Sequence, residues 1–283
     1  MQASDLVIRT MSREEVQIAL DWAAAEGWNP GLHDAASFYE ADPEGFFIGL
    51  LKDEPVATIS AVKYGNEFGF LGLYIVKPEY RGQGFGKQVW KAGLEYLEGC
   101  NIGLDGVVEQ QENYKKQGFA MAYKNLRYQG IGGGERPEVS GLTSLSAIPF
   151  EEIEAYDREM FPAPRPNFLQ SWIKQPESIG FAIKKDGQLA GYSLARRCHE
   201  GYKVGPLFAG DSEIAEQLFV AIKSELDQET PVILDIPIVN PAAVDLVQRH
   251  KMVLVFETAR MYTRSAPDIS LGKVFGITTF ELG

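Results

Sequence analysis

Apolar and polar positions follow two different periods along residues 5–128, and the two periods separate strands from helices. Apolar runs bounded by turn residues predict strands, and apolar residues at helical spacing predict helices. The predicted strands are 5–10, 45–51, 56–64, 68–76, 102–108 and 119–128. The predicted helices start near Ser12, Ala35, Gly84 and Gln110. This order, an antiparallel meander combined with intervening helices, indicates an α/β fold with a mixed, mostly antiparallel central sheet flanked by helices.

A glycine-rich stretch interrupts this periodicity and predicts a linker. Residues 130–134 are rich in glycine and are followed by Arg136 and Pro137. A chain of 283 residues is long enough for two ordinary domains. We therefore predict a first domain at 1–130, a linker at 131–138 and a second domain at 139–283.

The order of elements recurs beyond the linker at an offset of 133 residues. The matching positions are Pro43 with Pro176, Lys52 with Lys185, Ala57 with Ala190, Gly72 with Gly205 and Arg127 with Arg260. Turns between strands use glycine, proline and lysine in any protein, so some matches arise by chance. One offset held over this length favours duplication, and predicts tandem domains of the same fold.

Charge and cysteine content narrow the class of protein. The chain has 27 Lys and Arg against 39 Asp and Glu, a net charge of −12, which disfavours nucleic-acid binding. Cys100 and Cys198 are far apart, which excludes a disulfide framework. The apolar stretches 46–51 and 68–76 are far shorter than the ~20 residues that span a bilayer, and the start shows no secretory pattern. We expect a cytoplasmic protein with no nucleic-acid or membrane partner.

The segment after the fourth predicted strand carries the strongest chemical signal. Gly82, Gly84 and Gly86 leave backbone N–H groups unshielded at the start of a helix, where the helix dipole favours anions. A glycine-rich turn that merely opens a helix is the plain alternative. The G-x-G-x-x-G dinucleotide spacing and the P-loop pattern are both absent. The segment predicts a pyrophosphate-binding loop.

The residues of this segment resemble the GNAT superfamily of acyl-CoA-dependent N-acyltransferases. The signature R-x-x-G-x-G stands here as Arg81-Gly82-Gln83-Gly84-Phe85-Gly86, with the usual valine and proline at Val76 and Pro78. A second signature, Y-x-K-x-G-F, stands as Tyr114-Lys115-Lys116-Gln117-Gly118-Phe119. The resemblance covers residues 5–130, and the remainder resembles a degenerate GNAT-like C-terminal domain.

The resemblance implies acetyl-CoA as cofactor and assigns its contacts. The loop N–H groups would hold the pyrophosphate, and the strand before the loop would pair with the pantetheine arm beside a splayed strand, with Gly72 at a bulge. Asn113 and Lys116 would lie near the cofactor, although a solvated helix face explains Lys116 as well. The implied cofactor-binding residues are Leu73, Tyr74, Ile75, Val76, Arg81, Gly82, Gln83, Gly84, Phe85, Gly86, Lys87, Asn113 and Lys116.

Acyl transfer to an amine requires the ammonium to lose a proton and the departing thiolate to gain one. The resemblance assigns the second task to Tyr114, although a tyrosine that packs a short helix on the sheet has the same pattern. Glu109, just after the fifth strand, is the predicted base. Glu67, Glu26, Asp34 and a water relay remain open alternatives.

The loop after the first helix is the part of a GNAT fold that shapes the acceptor pocket. Trp28, flanked by Glu26, Asn29 and Asp34, would suit an amine through cation–π contact and charge pairing. A tryptophan that packs this loop onto the core is the alternative. We predict these four residues as acceptor-binding.

The second copy has lost the chemistry. At the offset of 133, residues 81–86 fall on Ile214–Phe219 and Tyr114 falls on Val247, so we expect neither CoA binding nor catalysis there. Packing, a homodimer surface and a wall of the acceptor site stay open as its role. His199 and His250 are isolated, and no metal site is predicted.

The sequence thus predicts an acetyl-CoA-dependent N-acetyltransferase that acts on a primary amine of a small molecule by direct attack in a ternary complex. A non-catalytic acyl-CoA sensor or scaffold is the alternative, because a cofactor loop alone does not separate binding from catalysis. Transfer to a protein lysine is disfavoured, since a second domain that walls the cleft would hinder a bulky acceptor.

Overall fold

The computed structural model describes residues 6–283. The elements of the first half are β1 (Leu6–Thr10), α1 (Val16–Ala25), α2 (Asp34–Ala41), β2 (Phe46–Leu51), β3 (Glu54–Tyr64), β4 (Phe68–Val76), α3 (Phe85–Tyr96), β5 (Asn101–Val107), α4 (Gln111–Lys116) and β6 (Ala120–Ile131). The elements of the second half are β7 (Leu142–Ser144), α5 (Phe150–Asp157), α6 (Pro166–Trp172), β8 (Ser178–Lys185), β9 (Gln188–Arg197), β10 (Tyr202–Ala209), α7 (Ser212–Ser224), β11 (Pro231–Pro237), α8 (Pro241–Arg249), β12 (Val253–Tyr262) and β13 (Val274–Gly276).

All the strands of residues 6–283 join in one continuous sheet. The order is β1-β2-β3-β4-β5-β12-β6-β11-β10-β9-β8-β7, and β13 pairs with β10. Most neighbours are antiparallel, whereas β4 with β5 and β10 with β11 are parallel. The predicted fold class, two tandem copies of a mostly antiparallel sheet with flanking helices, is confirmed. No helix within the described residues is both long and apolar enough to cross a membrane.

The last strand of each copy has crossed into the other copy's part of the sheet. β12 lies between β5 and β6, and β6 lies between β12 and β11. The linker at 131–138 therefore remains a prediction about where the two copies meet along the chain. In the folded protein, β6 precedes this linker but pairs with β11 of the second half. The sequence does not predict this exchange of strands.

Aromatic packing also joins the halves. α2 packs on α6, where the rings of Phe38 and Trp172 stack with centroids 6.1 Å apart. The ring of Tyr64 meets that of Phe161 edge to face at 4.8 Å. These four side chains belong to one buried apolar cluster drawn from both halves. Because burial of each such side chain stabilises the fold by about 1.5–3 kcal/mol, this shared cluster stabilises both halves together.

β4 and β5 separate part of the way along their length. Their parallel pairing ends at Leu71 opposite Leu104, and the register of β4 against β3 shifts beside Gly72. Leu73 adopts φ of 46°, which is unusual for a residue with a side chain. The expected bulge and splay are thus present, and a wedge opens between residues 72–76 and the end of β5.

The second half has the same wedge, but β13 fills it. β13 pairs with β10 at Leu207 and Phe208, and the N–H of Ile277 donates to the carbonyl of Asp235 on β11 at 2.9 Å. The extended segment that contains β13 therefore closes this part of the sheet. The second wedge therefore has no free strand edge for a cofactor arm.

The single offset of 133 residues is wrong between β10 and α7. Residues 77–84 connect β4 to α3, whereas only residues 210–211 connect β10 to α7. Residues 214–219 consequently lie inside α7. Tyr114 and Val247 still correspond, because the carbonyl of each accepts from the N–H five residues further on, at 3.1 and 2.9 Å, where its helix ends. The glycine loop of the first half has no counterpart because the connection is shorter, not because its residues were substituted.

Candidate active site

A cavity of ≈ 700 Å³ occupies the wedge between β4 and β5. Its walls are the second part of β4, the loop before α3, the end of β5 and the start of α4, together with residues of the second half. The predicted site residues that line it are Glu26, Trp28, Leu73, Tyr74, Ile75, Val76, Arg81, Gly82, Gly84, Gly86, Lys87, Glu109 and Tyr114.

The glycine loop presents backbone N–H groups to one end of this cavity. Gly82 and Gly84 adopt φ of 77° and 87°, which favour glycine. Gly84 is the N-cap of α3, so the N-cap position has no side chain that could accept from the N–H groups of the first turn. A Cβ at Gly86 would lie 2.5 Å from Tyr74 Oη. The N–H groups of this helix start and the exposed Lys87 at its rim give this end of the cavity a positive potential.

Arg81 and Glu26 link the predicted cofactor loop to the predicted acceptor loop. The two side chains form an ion pair, and Arg81 Nε also donates to the carbonyl of Val76 at 2.9 Å. Arg81 therefore fixes the loop against the end of β4. Since Glu26 is neutralised by Arg81, it is a weak candidate for the base.

Tyr114 lies at the junction between cofactor loop and β5. Its ring stacks on Trp90 with centroids 5.4 Å apart, and a Cβ at Gly106 would lie 2.8 Å from the ring. Burial raises the pKa of Tyr114, and the nearby Tyr74 adds to the rise. The phenol keeps its proton at neutral pH, which suits a proton donor.

The candidate bases divide by location. Glu109 lines the cavity, is exposed to solvent and forms no ion pair within residues 6–283. Glu67 lies in the exposed turn between β3 and β4 and does not line the cavity. Asp105 lines the cavity but is held by Arg260 at 2.7 Å. Of these carboxylates, Glu109 alone combines access to the cavity with freedom from a cationic partner.

Two predicted acceptor residues lie elsewhere and have structural contacts. Asp34 is buried, accepts from the N–H of Gly31 at 2.8 Å and pairs with Arg196 at 2.9 Å. Asn29 exchanges two hydrogen bonds with the backbone of Glu200, at 2.9 and 3.0 Å. Both hold the first half against the second, so the assignment to the acceptor pocket is corrected for both residues.

Four predicted cofactor residues do not line the cavity. Gln83 donates to the carbonyl of Glu79, and the ring of Phe85 is buried beneath the loop. Asn113 donates to Gln110 Oε1 on the exposed side of α4, and Lys116 lies exposed on the same short helix. The backbone of 83 and 85 still belongs to the loop, but the side chains of all four lie away from the wedge.

The second half contributes side chains that the sequence did not indicate. Phe256 and Thr258 reach the cavity from the exchanged strand β12, and Phe280 and Glu281 reach it from the segment after β13. The exchange of β6 and β12 brings them there, and no local motif marks it. The second half therefore supplies part of the cavity wall.

An acidic side chain caps the N-terminus of the corresponding helix in the second half. Asp211 is the N-cap of α7, and its carboxylate accepts from the N–H of Ile214 at 2.8 Å. This internal carboxylate takes the position that a bound anion would need. Within residues 6–283, no group of three or more His, Cys, Asp and Glu side chains could hold a metal ion.

Each half of the chain is similar to a known protein family. The acetyltransferase (GNAT) family matches residues 13–119, and a second acetyltransferase (GNAT) domain family matches residues 153–276. Holothin acyltransferase of Pseudoalteromonas sp. (strain SANK 73390) is 33% identical over 272 residues, which cover 96% of this chain and 92% of that protein.

Solved structures share the whole fold. A Pyrococcus horikoshii protein assigned to the acetyltransferases has a TM-score of 0.83 at 23% identity and covers 99% of this chain and 96% of its own. A tandem GNAT protein from the clavulanic acid biosynthesis pathway has a TM-score of 0.61 at 11% identity. The match covers 92% of this chain and 99% of that protein. At these identities the likeness is one of fold.

Proposed function

Because the chain belongs to the GNAT family of N-acyltransferases, we propose that it transfers an acetyl group from acetyl-CoA to a primary amine of a small molecule. One observation carries the proposal: a single cavity joins an uncapped helix N-terminus and a glycine loop to a wall of aromatic and acidic side chains. The similarity to a protein named holothin acyltransferase supports a small molecule as the second substrate.

The residues present fit acyl-CoA. The N–H groups at the start of α3 and the exposed Lys87 suit a pyrophosphate, and the edge of β4 beyond Leu71 has no pairing with β5. Acetyl-CoA, when bound, supplies the thioester whose acyl carbon receives the amine nitrogen. Placement of that carbon beside the acceptor supplies a large part of the rate, because it replaces a bimolecular encounter.

Two side chains of this wedge suit the two proton transfers. Tyr114 holds its proton and would donate it to the sulfur as the C–S bond breaks. Glu109 is ionisable, exposed and unpaired within the described residues, and would accept a proton from the amine directly or through water. The C–N bond forms as the C–S bond breaks, so no covalent enzyme intermediate is required.

Release of free thiol from acetyl-CoA in the presence of single amines tests the proposal. We expect wild type to release one thiol for each amide formed, and Glu109→Gln to lose activity mainly at low pH, where the amine is most protonated. Glu112→Gln, one helical turn away and exposed, is the matched control. Failure of wild type to bind acetyl-CoA, measured by calorimetry, would refute the proposal.

A further inference from the structure

Part of the wall of the wedge is formed by the second half. Thr258 on β12 pairs in register with Val107 of β5, so it lies beside the end of that strand. The segment after β13 passes under the wedge, where Tyr64 Oη donates to the carbonyl of Leu282 at 3.0 Å. A Cβ at Gly72 would lie 2.0 Å from the carbonyl oxygen of Glu281. Glycine at the bulge therefore allows this segment to form the floor.

Thr258 carries a hydroxyl that lacks a partner. The residue is 1% exposed, lines the cavity, and its Oγ1 makes no hydrogen bond within residues 6–283. Buried hydroxyl groups in folded proteins are nearly always hydrogen-bonded, because loss of hydration without a replacement bond is unfavourable. The unpaired hydroxyl lies at the cavity wall, where a ligand group that reaches it would supply the partner.

Glu281 brings a buried negative charge to the same cavity. It is 4% exposed, and its Oε2 accepts from Thr279 Oγ1 at 2.6 Å. Burial alone would raise the pKa of Glu281, but Lys203 and Arg196 lower it, so that the net shift is downward. The carboxylate is therefore ionised at neutral pH, yet no cation lies within ion-pair distance of it in the described residues.

The cations around Glu281 are engaged elsewhere. Arg127 pairs with Asp235, and Arg196 pairs with Asp34. Lys203 Nζ donates to the backbone carbonyl of Asn29 at 2.8 Å, and burial lowers its pKa. Glu281 thus has one carboxylate oxygen without a hydrogen-bond donor of its own in residues 6–283.

Aromatic side chains complete this part of the cavity. Trp28, Phe256 and Phe280 line it, and the rings of Phe256 and Phe280 lie 6.1 Å apart at an angle of 50°. Arg127 lies 4.7 Å from the centroid of Phe280 and fixes the orientation of that ring. Aromatic walls of this kind favour a flat apolar ring through stacking and edge-to-face contact.

We propose that the acceptor is a small aromatic primary amine, held with its ring among Trp28, Phe256 and Phe280 and with its amino group hydrogen-bonded to Thr258 and Glu281. The inference rests on the proposed function and names the substrate class of the same site. It gives the second half a defined task, which is to build the acceptor side of the first half's cleft.

The test compares 2-phenylethylamine with n-butylamine as probes in thiol release from acetyl-CoA. We expect kcat/KM to be at least about tenfold higher for 2-phenylethylamine, since an aromatic ring buries more apolar area. Equal kcat/KM for the two probes overturns the inference, and so does release with neither probe while acetyl-CoA still binds. Absence of acetyl-CoA binding instead defeats the proposed function.

Variants separate ligand binding from folding. Thr258→Val removes a hydroxyl without a partner, so we expect an unchanged or higher Tm, an unchanged Kd for acetyl-CoA and a KM for 2-phenylethylamine raised about fivefold, the effect of one hydrogen bond. Ser60→Ala is the matched control, because Ser60 Oγ is also buried and unpaired but does not line the cavity. An unchanged KM in Thr258→Val overturns the inference.

Glu281→Gln tests the charge. We expect the KM for 2-phenylethylamine to rise more than in Thr258→Val, with the Kd of acetyl-CoA unchanged. Glu257, an acid of β12, lies outside the cavity, so Glu257→Gln is the control and should leave both values unchanged. A purely structural role for Glu281 predicts that Tm falls while KM stays the same, and that result overturns the part given to Glu281.

Discussion

Arg127 on β6 lies opposite Asp235 on β11, and its Nε and Nη2 each donate to one carboxylate oxygen, at 2.7 and 2.8 Å. Arg260 on β12 makes the same two-pronged contact with Asp105 on β5, at 3.0 and 2.7 Å. Each pair joins an exchanged strand to the other copy. The two ion pairs therefore hold the exchanged strands in place, and they couple the folding of both halves.

Removal of one partner of the Arg127 pair is expected to be strongly destabilising. The side chains of Arg127 and Asp235 are 5% and 3% exposed, so Arg127→Met leaves an uncompensated buried carboxylate. We expect the free energy of unfolding to fall by about 3–5 kcal/mol, measured by urea titration. Arg249→Met, which breaks a partly exposed pair with Glu216, is the control and should change little. Equal effects of the two variants would contradict the coupling role.

Acid should remove the contribution of Asp235 in a defined direction. Burial alone would raise the pKa of Asp235, but the charge of Arg127 outweighs it and the pKa is lowered. A carboxylate with a lowered folded-state pKa stabilises the protein above its unfolded value of about 3.9, and this stabilisation is lost as pH falls through the folded-state value. The stability difference between wild type and Asp235→Asn should be constant from pH 7 to 5 and shrink below pH 4. A difference that grows on acidification would contradict this assignment.

Tyr114→Phe should lower turnover and leave cofactor binding intact. The ring keeps its stacking on Trp90, whereas the proton donor is lost. We expect kcat to fall about 10²-fold or more, with the Kd of acetyl-CoA within a factor of about two. Because the pKa of Tyr114 is raised, wild type should show no alkaline loss of activity from this group below about pH 10. Tyr96→Phe, outside the cavity, is the control, and equal kcat in wild type and Tyr114→Phe would remove Tyr114 from the mechanism.

The second half should bind no acyl-CoA even when its helix is uncapped. Asp211→Ala removes the carboxylate that accepts from Ile214, so we expect a loss of about 1 kcal/mol in stability. β13 still fills the wedge, and the stoichiometry of acetyl-CoA should remain one per chain. Calorimetric titration of both proteins checks this, and a second site in Asp211→Ala would show that the cap alone closes the helix.

The sequence predicted those features that are local. Apolar periodicity located every helix and strand of the first half to within a few residues, because turn residues bound each one. The glycine loop was recognisable because Gly82 and Gly84 need positive φ in a short motif. Gly72 and Gly205 were also recognised as matching positions of the two copies. The structure explains why both are glycine, since the segment after β13 packs against each of them and leaves no room for a Cβ.

The remaining features depend on contacts between residues far apart in the chain. Nothing in the sequence of β12 states that it lies beside β5, so Thr258 and Glu281 could not be assigned to the cavity. Asp34 follows a tryptophan loop that suggests an acceptor pocket, but its partner Arg196 is 162 residues away. A charged residue near a motif is thus a poor guide to the site until the strand order is known.

Binding of the acyl donor by the glycine loop of the first half is best tested with Gly84→Glu. Gly84 adopts φ of 87° at the N-cap of α3, so glutamate adds both backbone strain and negative charge where pyrophosphate would lie. Gly65→Glu is the control, because Gly65 has φ of 72° in an open turn outside the cavity. Calorimetric titration should show one acetyl-CoA bound by wild type and by Gly65→Glu and none by Gly84→Glu. Equal affinity of Gly84→Glu and wild type would show that acetyl-CoA does not bind at this loop.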